Sequence, residues 1–370
     1  MIQIAIVGCA HIHTPGFVKR IKERQDVQVK AVWDPNPARS AKRAQELGVA
    51  PTDNLKTVWR DRSIQAVIIC SETNAHAAFV KSAAKRKRHM FVEKPLGMGS
   101  KDGYKMAAAI ERAGVMFQTG YFMRGSPINL FLKQQVEAGA FGRITRIRGS
   151  NCHSGSLGGW FDAKPDNPAD DWRWMADPAI AGVGAFGDLG THSLDIMLWL
   201  MGDVKAATGC TNTGTARYSD CDETGEGILQ FANGAIGTLA AAWLDIDNPV
   251  SLLISGTEAH AAVIHGKLHY HVKAKADPLR TRIKEMEAAG GDAEQIKQLK
   301  AQLDVVSGRA PWTDLPPAAP AGLDAFLNAI AGAPDGKLVT AREAAYRSAV
   351  MEAIYEGARR RKWVAPKPMP

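Results

Sequence analysis

Residues 1–34 read MIQIAIVGCAHIHTPGFVKRIKERQDVQVKAVWD, and their apolar pattern decides the class of fold. Ile2 to Val7 is an unbroken apolar run of the kind that fills a buried parallel strand. A helical stretch follows to about Arg24, and Val27 to Trp33 forms a second strand ending at Asp34. The alternation continues with helix Pro37–Leu47, strand Ala66–Cys70, helix Ala75–Arg86 and strand His89–Val92. Helix Ser100–Ala113, with Ser100 as its N-cap, and strand Val115–Thr119 complete the series. Strands alternating with helices require right-handed crossovers and hence a doubly wound parallel sheet, an α/β fold.

From about Ile144 the pattern changes. Gly227–Phe231, Ala235–Trp243 and Val250–Ser255 read as antiparallel strands, and Asn233-Gly234 is a hairpin turn between two apolar runs. The spacing predicts two domains, residues 1–123 and 124–370, the second an α+β unit on a mostly antiparallel sheet. Charged helical sequence at about 277–305, split at Gly290-Gly291, reads as a helical-hairpin insertion. Pro311 to Pro320 is a connector, and helices follow at Leu323–Ile330 and Ala341–Arg360.

Composition sets outer bounds. The 370 residues are 45% apolar and 23% charged, which excludes a disordered chain, a fibre and a disulfide-stapled miniprotein. Apolar stretches such as Ala235–Leu244 are too short to span a bilayer. The chain opens directly on a strand, without a signal-peptide layout. Cys9, Cys70, Cys152, Cys210 and Cys221 are odd in number and form no CxxC pair, which suits reduced thiols in the cytoplasm. The excess of 46 Lys+Arg over 38 Asp+Glu lies in runs at 85–88, 143–148 and 359–362. We read these as solvated faces and helix ends, with neither nucleic acid nor membrane as partner.

A dinucleotide turn after the first strand wants three glycines. Gly8 is present, but Ala10 and His13 hold the other two places, with His11 and Ile12 between them. Asp34 ends the second strand, where a carboxylate binds ribose hydroxyls and repels a 2′-phosphate, favouring NAD over NADP. Asp34-Pro35-Asn36-Pro37 reads equally as a turn capping the next helix, and nearby Arg39 keeps NADP open. His11-Ile12-His13 also has the spacing of a metal pair. A metal barrel would need further ligands at later strand ends and an eightfold β/α repeat, and the antiparallel second half argues against it, so no metal is expected.

Two clusters carry chemistry. Glu93-Lys94-Pro95 follows a strand at the carboxyl edge where open α/β sheets bind ligands. A lone lysine there would favour a surface ion pair. Gly187-Asp188-Leu189-Gly190-Thr191-His192-Ser193-Leu194-Asp195 places Asp188, His192 and Asp195 on one helix face, so carboxylates can orient a histidine base. The plainer reading is a helix N-terminus with an acidic cap and one buried histidine.

Taken in order, these motifs resemble the Gfo/Idh/MocA oxidoreductase family (glucose–fructose oxidoreductase, inositol dehydrogenase and relatives). Supporting matches are Asn74 and His76 after the third strand, Glu93-Lys94-Pro95, Gly120-Tyr121-Phe122-Met123-Arg124, Asp188-xxx-His192 and residues 338–344. The chain departs from the pattern at Ala10 and His13 and lacks a proline before Asn74. The resemblance implies a Rossmann domain followed by a substrate domain with an open-faced sheet, joined into a homodimer or homotetramer. It implies His192 as base, Lys94 as the group stabilising an alkoxide and Asp188 as the group orienting the alcohol or His192. The cofactor side would comprise Gly8, Ala10, His11, Ile12, His13, Asp34, Ser71, Asn74, His76, Glu93 and Lys94.

Residues 151–187 supply His153, Trp160, Asp166, Asp171, Trp172, Arg173 and Trp174. Aromatic rings stack on sugar C–H faces while Asp and Arg bind hydroxyls, so the stretch suits a carbohydrate or cyclitol. A loop closing the interdomain cleft is the alternative. Substrate contacts are expected from Lys94, Tyr121, Arg124, His153, Trp160, Trp172, Asp188 and His192, and His265, His269 and His271 are expected in strands. The leading expectation is an NAD-dependent dehydrogenase or reductase acting on a secondary hydroxyl of a sugar, cyclitol or glycoside. The same site could instead cleave a glycoside through transient oxidation, and a regulatory nucleotide-binding protein is the non-catalytic alternative.

Overall fold

The computed structural model describes residues 1–333 and 337–369. Five parallel strands form the first sheet: β1 (Ile2–Val7), β2 (Val27–Trp33), β3 (Ala66–Ile69), β4 (His89–Val92) and β5 (Phe117–Thr119). All four residues of β3 are buried, as a strand covered on both faces requires. Helices α1 (Thr14–Lys22), α2 (Pro37–Leu47), α3 (Leu55–Arg60), α4 (His76–Lys85) and α5 (Ser100–Ala113) connect them. The sheet order β2-β1-β3-β4-β5 reverses direction at β1, so the loop leaving β1 lies at the switch point where such sheets bind ligands.

Local chemistry sets the helix ends. Asn36 caps α2 by accepting from the Ala38 N–H, with Pro37 in the first turn and Gly48 left-handed at the end. The capping role therefore falls to Asn36, not Asp34. Ser100 is not an N-cap: Gly99 holds that place, and the Ser100 N–H donates to Glu352 at 2.6 Å.

The second sheet has seven strands in the order β12-β11-β10-β6-β9-β8-β7. They are β6 (Ile144–Cys152), β7 (Val204–Asn212), β8 (Thr224–Phe231), β9 (Ile236–Ala242), β10 (Val250–Gly256), β11 (Ala259–Ile264) and β12 (Lys267–Val272). Every neighbouring pair is antiparallel except β6 and β9, which run parallel. Helices α6 (Pro127–Glu137), α7 (Pro178–Ala181), α8 (Ala185–Met201) and α12 (Ala341–Arg360) belong to this half, and α8 and α12 pack on one face of the sheet. The strict alternation of buried and exposed residues along β8 leaves the other face open.

The insertion is a helical hairpin, α9 (Lys273–Ala288) and α10 (Ala293–Val306), with a small core of Ala276, Ile283 and Leu303. His269 and His271 lie in β12, but His265 sits in the turn between β11 and β12 with φ 45°. The last helices return to the first sheet: Leu323, Phe326 and Leu327 of α11 (Leu323–Ile330) share its core with Ile4 and Val18, and Ala344 and Ala345 of α12 share it with Tyr104 and Ala107. Among the described residues no helix is long and apolar enough to cross a membrane, and all five cysteines are free.

Candidate active site

The β1 exit loop is tightly bound to its neighbours. Gly8 has φ +83°, and a Cβ on it would come within 2.5 Å of the Ser71 Cβ, so only glycine fits. The Cys9 N–H donates to Asp34 Oδ2 at 2.6 Å, and the His11 N–H to the Cys70 carbonyl at 2.9 Å. Burial raises the Asp34 carboxyl despite the N–H groups of Cys9 and Asn36 that it accepts. Arg39 lies 3.8 Å from Asp34 but points its guanidinium at Glu72, 2.6 Å away, so its charge is already answered. Asn74 is exposed in a short 3-10 turn. His76 is fully buried, its ring nitrogens 3.1 Å from the Leu96 carbonyl and 3.3 Å from the Ser71 carbonyl. It ties the loops after β3 and β4 together.

At the β4 exit, Lys94 Nζ lies 2.6 Å from Asp188 Oδ1 and also donates to the Asp188 carbonyl at 3.2 Å. The lysine side chain is 2% exposed and the aspartate 11%, so the surface ion-pair reading is excluded. Burial opposes the Asp188 charge, but Lys94 outweighs it and brings the carboxyl down to about 2. Trp243, at the end of β9, donates its indole N–H to Asp188 Oδ2 at 3.3 Å. Asp188 is thus held from both sides. His192 follows one turn along α8, its ring 5.3 Å from Phe122 and 6.3 Å from Tyr121. Burial, reinforced by the Lys94 charge, holds it well below the ordinary histidine range, so the ring is neutral at pH 7. Its Nδ1 is buried with no protein partner.

The structure therefore brings Lys94, Asp188 and His192 together. Two expectations are corrected. Asp195 does not orient His192, because it receives Arg124 and Arg347 in a buried cluster. Arg124, expected at the substrate, is committed to Asp195 and Glu343. Tyr121 is buried, its hydroxyl 2.8 Å from Thr191 Oγ1.

On the substrate side, His153 and Trp160 form a tilted stack 4.7 Å apart, and Trp160 is 43% exposed. Trp172 is covered by the Lys164 ammonium at 4.1 Å. The segment beyond it reaches over the first domain: Asp170 pairs with Lys42 and Arg43, Arg39 donates to the Asp171 carbonyl, and Trp174 donates to the Ala10 carbonyl at 3.0 Å. The stretch read as sugar-binding is thus also a bridge across the β1 and β2 loops. Trp243 escaped the sequence reading because no spacing links it to Asp188. Its only signal was its place at the end of an apolar strand.

One family model, described as an oxidoreductase family with an NAD-binding Rossmann fold, matches residues 2–121. A second, the C-terminal domain of the same family, matches residues 130–262. The chain belongs to the Gfo/Idh/MocA oxidoreductase family. Levoglucosan dehydrogenase of Pseudarthrobacter phenanthrenivorans is 27% identical over 62% of this chain and 63% of its own length. The scyllo-inositol 2-dehydrogenase (NAD(+)) of Bacillus subtilis is 26% identical over 73% of this chain and 76% of its own. A levoglucosan dehydrogenase solved with NADH superimposes with a TM-score of 0.73 at 20% identity, over 99% of each chain, which speaks for the fold.

The residues fit the cofactor named for the family. Gly8 leaves the turn free of a side chain, Asp34 ends β2, and Arg39 is already occupied by Glu72, which disfavours a 2′-phosphate.

Proposed function

We propose that this chain is an NAD-dependent dehydrogenase or reductase acting on a secondary hydroxyl or ketone of a sugar, cyclitol or glycoside. The observation that carries the reading is the buried Lys94–Asp188 pair beside a neutral His192 at the carboxyl edge of the first sheet. Gly8, the β1 loop and Asp34 would hold the dinucleotide. When bound, NAD⁺ supplies the hydride acceptor. His192 takes the hydroxyl proton, and Lys94 donates a hydrogen bond to the oxygen as negative charge develops there. Asp188, fixed by Trp243, keeps the ammonium in place. His153 and the exposed Trp160 offer a ring face and a polar edge to a polyhydroxylated substrate. The named relatives, dehydrogenases of levoglucosan and scyllo-inositol, support this substrate class.

The reading also takes the enzyme as a cytoplasmic homo-oligomer. Ile228 and Ile236, 41% and 53% exposed on the open sheet, support pairing through that face. Light scattering tests it.

The activity test incubates the protein with NAD⁺ and a panel of sugars and cyclitols and follows reduced-nicotinamide absorbance. His192→Gln and Lys94→Ala are expected to lower turnover at least about a hundredfold, the usual size of acid–base and electrostatic contributions. NAD⁺ binding, read by thermal shift, should survive in His192→Gln. Product formed without net reduction of NAD⁺ would favour glycoside cleavage instead. Near-normal rates in both variants would remove the assignment.

A further inference from the structure

Resting on the dehydrogenase reading above, we propose that residues 168–176, a strap laid from the second domain onto the turn after β1, gate the dinucleotide site. Strap and dinucleotide exclude one another at that turn, and NAD⁺ binds only once the strap has lifted. A Rossmann site holds its dinucleotide through the backbone of this turn, which meets the pyrophosphate, and through a carboxylate on the ribose hydroxyls. Here Cys9, Ala10 and His11 are each 1% exposed, and the Asp34 side chain is not exposed at all. Neither a pyrophosphate nor a ribose can reach these groups while the strap is seated.

The cover is made by direct contacts. Trp174 donates its indole N–H to the Ala10 carbonyl at 3.0 Å, and Ala10 packs in one apolar cluster with Trp174, Met175 and Ala176. Arg39, whose guanidinium lies 3.8 Å from Asp34, donates to the Asp171 carbonyl at 3.3 Å and so stays folded over the end of β2. Asp170 receives Lys42 and the buried Arg43, both from α2. A lid that closes over a bound dinucleotide leaves a slot between itself and the turn. This one bonds the turn itself.

The strap is also able to come away. Pro168–Asp170 and Arg173–Ala176 are single 3-10 turns, held internally by bonds such as Met175 N–H to the Trp172 carbonyl at 2.9 Å. Its grip on α2 is ionic, and the Lys42 side chain is 38% exposed, so water takes over much of that contact when it parts. Asp171 and Trp174 also line a cavity of about 630 Å³ with Asn36, Arg39, Phe161 and Tyr218, which leaves the strap unpacked along one side.

Seated and lifted forms then compete with the cofactor. The apparent dissociation constant for NAD⁺ is the intrinsic one divided by the lifted fraction. Weakening the seat raises that fraction and tightens NAD⁺ binding. Weakening a clamp that held bound NAD⁺ would loosen it, so the two arrangements differ in sign.

Titration calorimetry of the full chain with NAD⁺ reads that sign in two variants. Asp170→Asn weakens the hold on Lys42 and Arg43, and Trp174→Phe removes the bond to Ala10 without changing any charge. Each is expected to lower the dissociation constant about fivefold or more. Tightening in Trp174→Phe cannot come from freed cations. Unchanged or weaker binding in either variant overturns the gate. Hydrogen exchange on the native chain gives a second measurement that needs no substitution. Saturating NAD⁺ should speed exchange of the amides between 168 and 177, because the lifted strap exposes them to water. Slower or unchanged exchange there also overturns the gate. NAD⁺ that binds neither the native chain nor either variant removes the dinucleotide reading itself, whereas binding with the wrong sign removes the gate alone.

Discussion

His11 and His192 are imidazoles that the fold keeps neutral, chiefly by burial, and this makes stability depend on pH in a stated direction. In the unfolded chain each titrates near about 6.5. Above that pH neither state holds the proton and the two residues contribute nothing to the slope. Below it the unfolded chain binds protons that the folded chain refuses, so stability falls as pH falls, by up to about 1.4 kcal/mol per pH unit per residue. Calorimetry between pH 8 and 5 should show a melting temperature nearly flat above pH 7 and dropping below 6.5. His192→Gln should make the drop shallower, and an unchanged slope would show that His192 is charged in the folded state. The acid limb of kcat/KM should lie below 6.5 for the same reason. At this scale Lys94, Asp188 and His192 were legible, because strand exits and helical spacing place them. Trp243 was not, because its bond to Asp188 joins residues 55 apart in the chain.

Elements with strong periodicity were read to the residue: β1, β2, β4, α2, α5, α11 and α12 have the expected bounds. The rest fell to local weakness. β7 carries glycine and cysteine across its middle and has no clean alternation, and α3 is a single capped turn and a half. The bridge across the first domain was the hardest case. Its turns at 168–176 are short 3-10 pieces whose reason for existing lies in contacts with the β1 loop and α2, more than a hundred residues away. That origin can be measured at Trp174. Trp174→Phe keeps the ring packed beside His11 but leaves the buried Ala10 carbonyl without its donor, at a cost of about 1–3 kcal/mol. Urea denaturation should register that loss, and NAD⁺ affinity should change with it because Ala10 lies in the dinucleotide turn. Unchanged stability would mean that water replaces the indole and that the bridge is only loosely seated.

For the whole molecule, the order of its parts was legible, but the way they join was not. A parallel sheet followed by an antiparallel one can be read from hydrophobic period alone. The return of α11 and α12 to the first sheet cannot, because their apolar faces do not say which partner covers them. Asp195 marks the junction. It sits at the spacing that suggested a catalytic role, yet its carboxylate receives Arg124, 71 residues earlier, and Arg347, 152 later. Asp195 and Arg347 are 1% and 4% exposed at their side chains, so removing the carboxylate leaves Arg124 and the buried Arg347 with Glu343 as their one shared carboxylate. Such a loss costs about 3–5 kcal/mol. Asp195→Ala should therefore lower the midpoint of urea denaturation sharply, while the fraction that remains folded turns over substrate at close to the native rate. Replacing Arg124 with methionine in that background should recover part of the loss, since the Glu343 carboxylate then serves the buried Arg347 alone. If Asp195→Ala instead abolished turnover in protein that melts normally, Asp195 would belong with His192 and the junction would be held by something else.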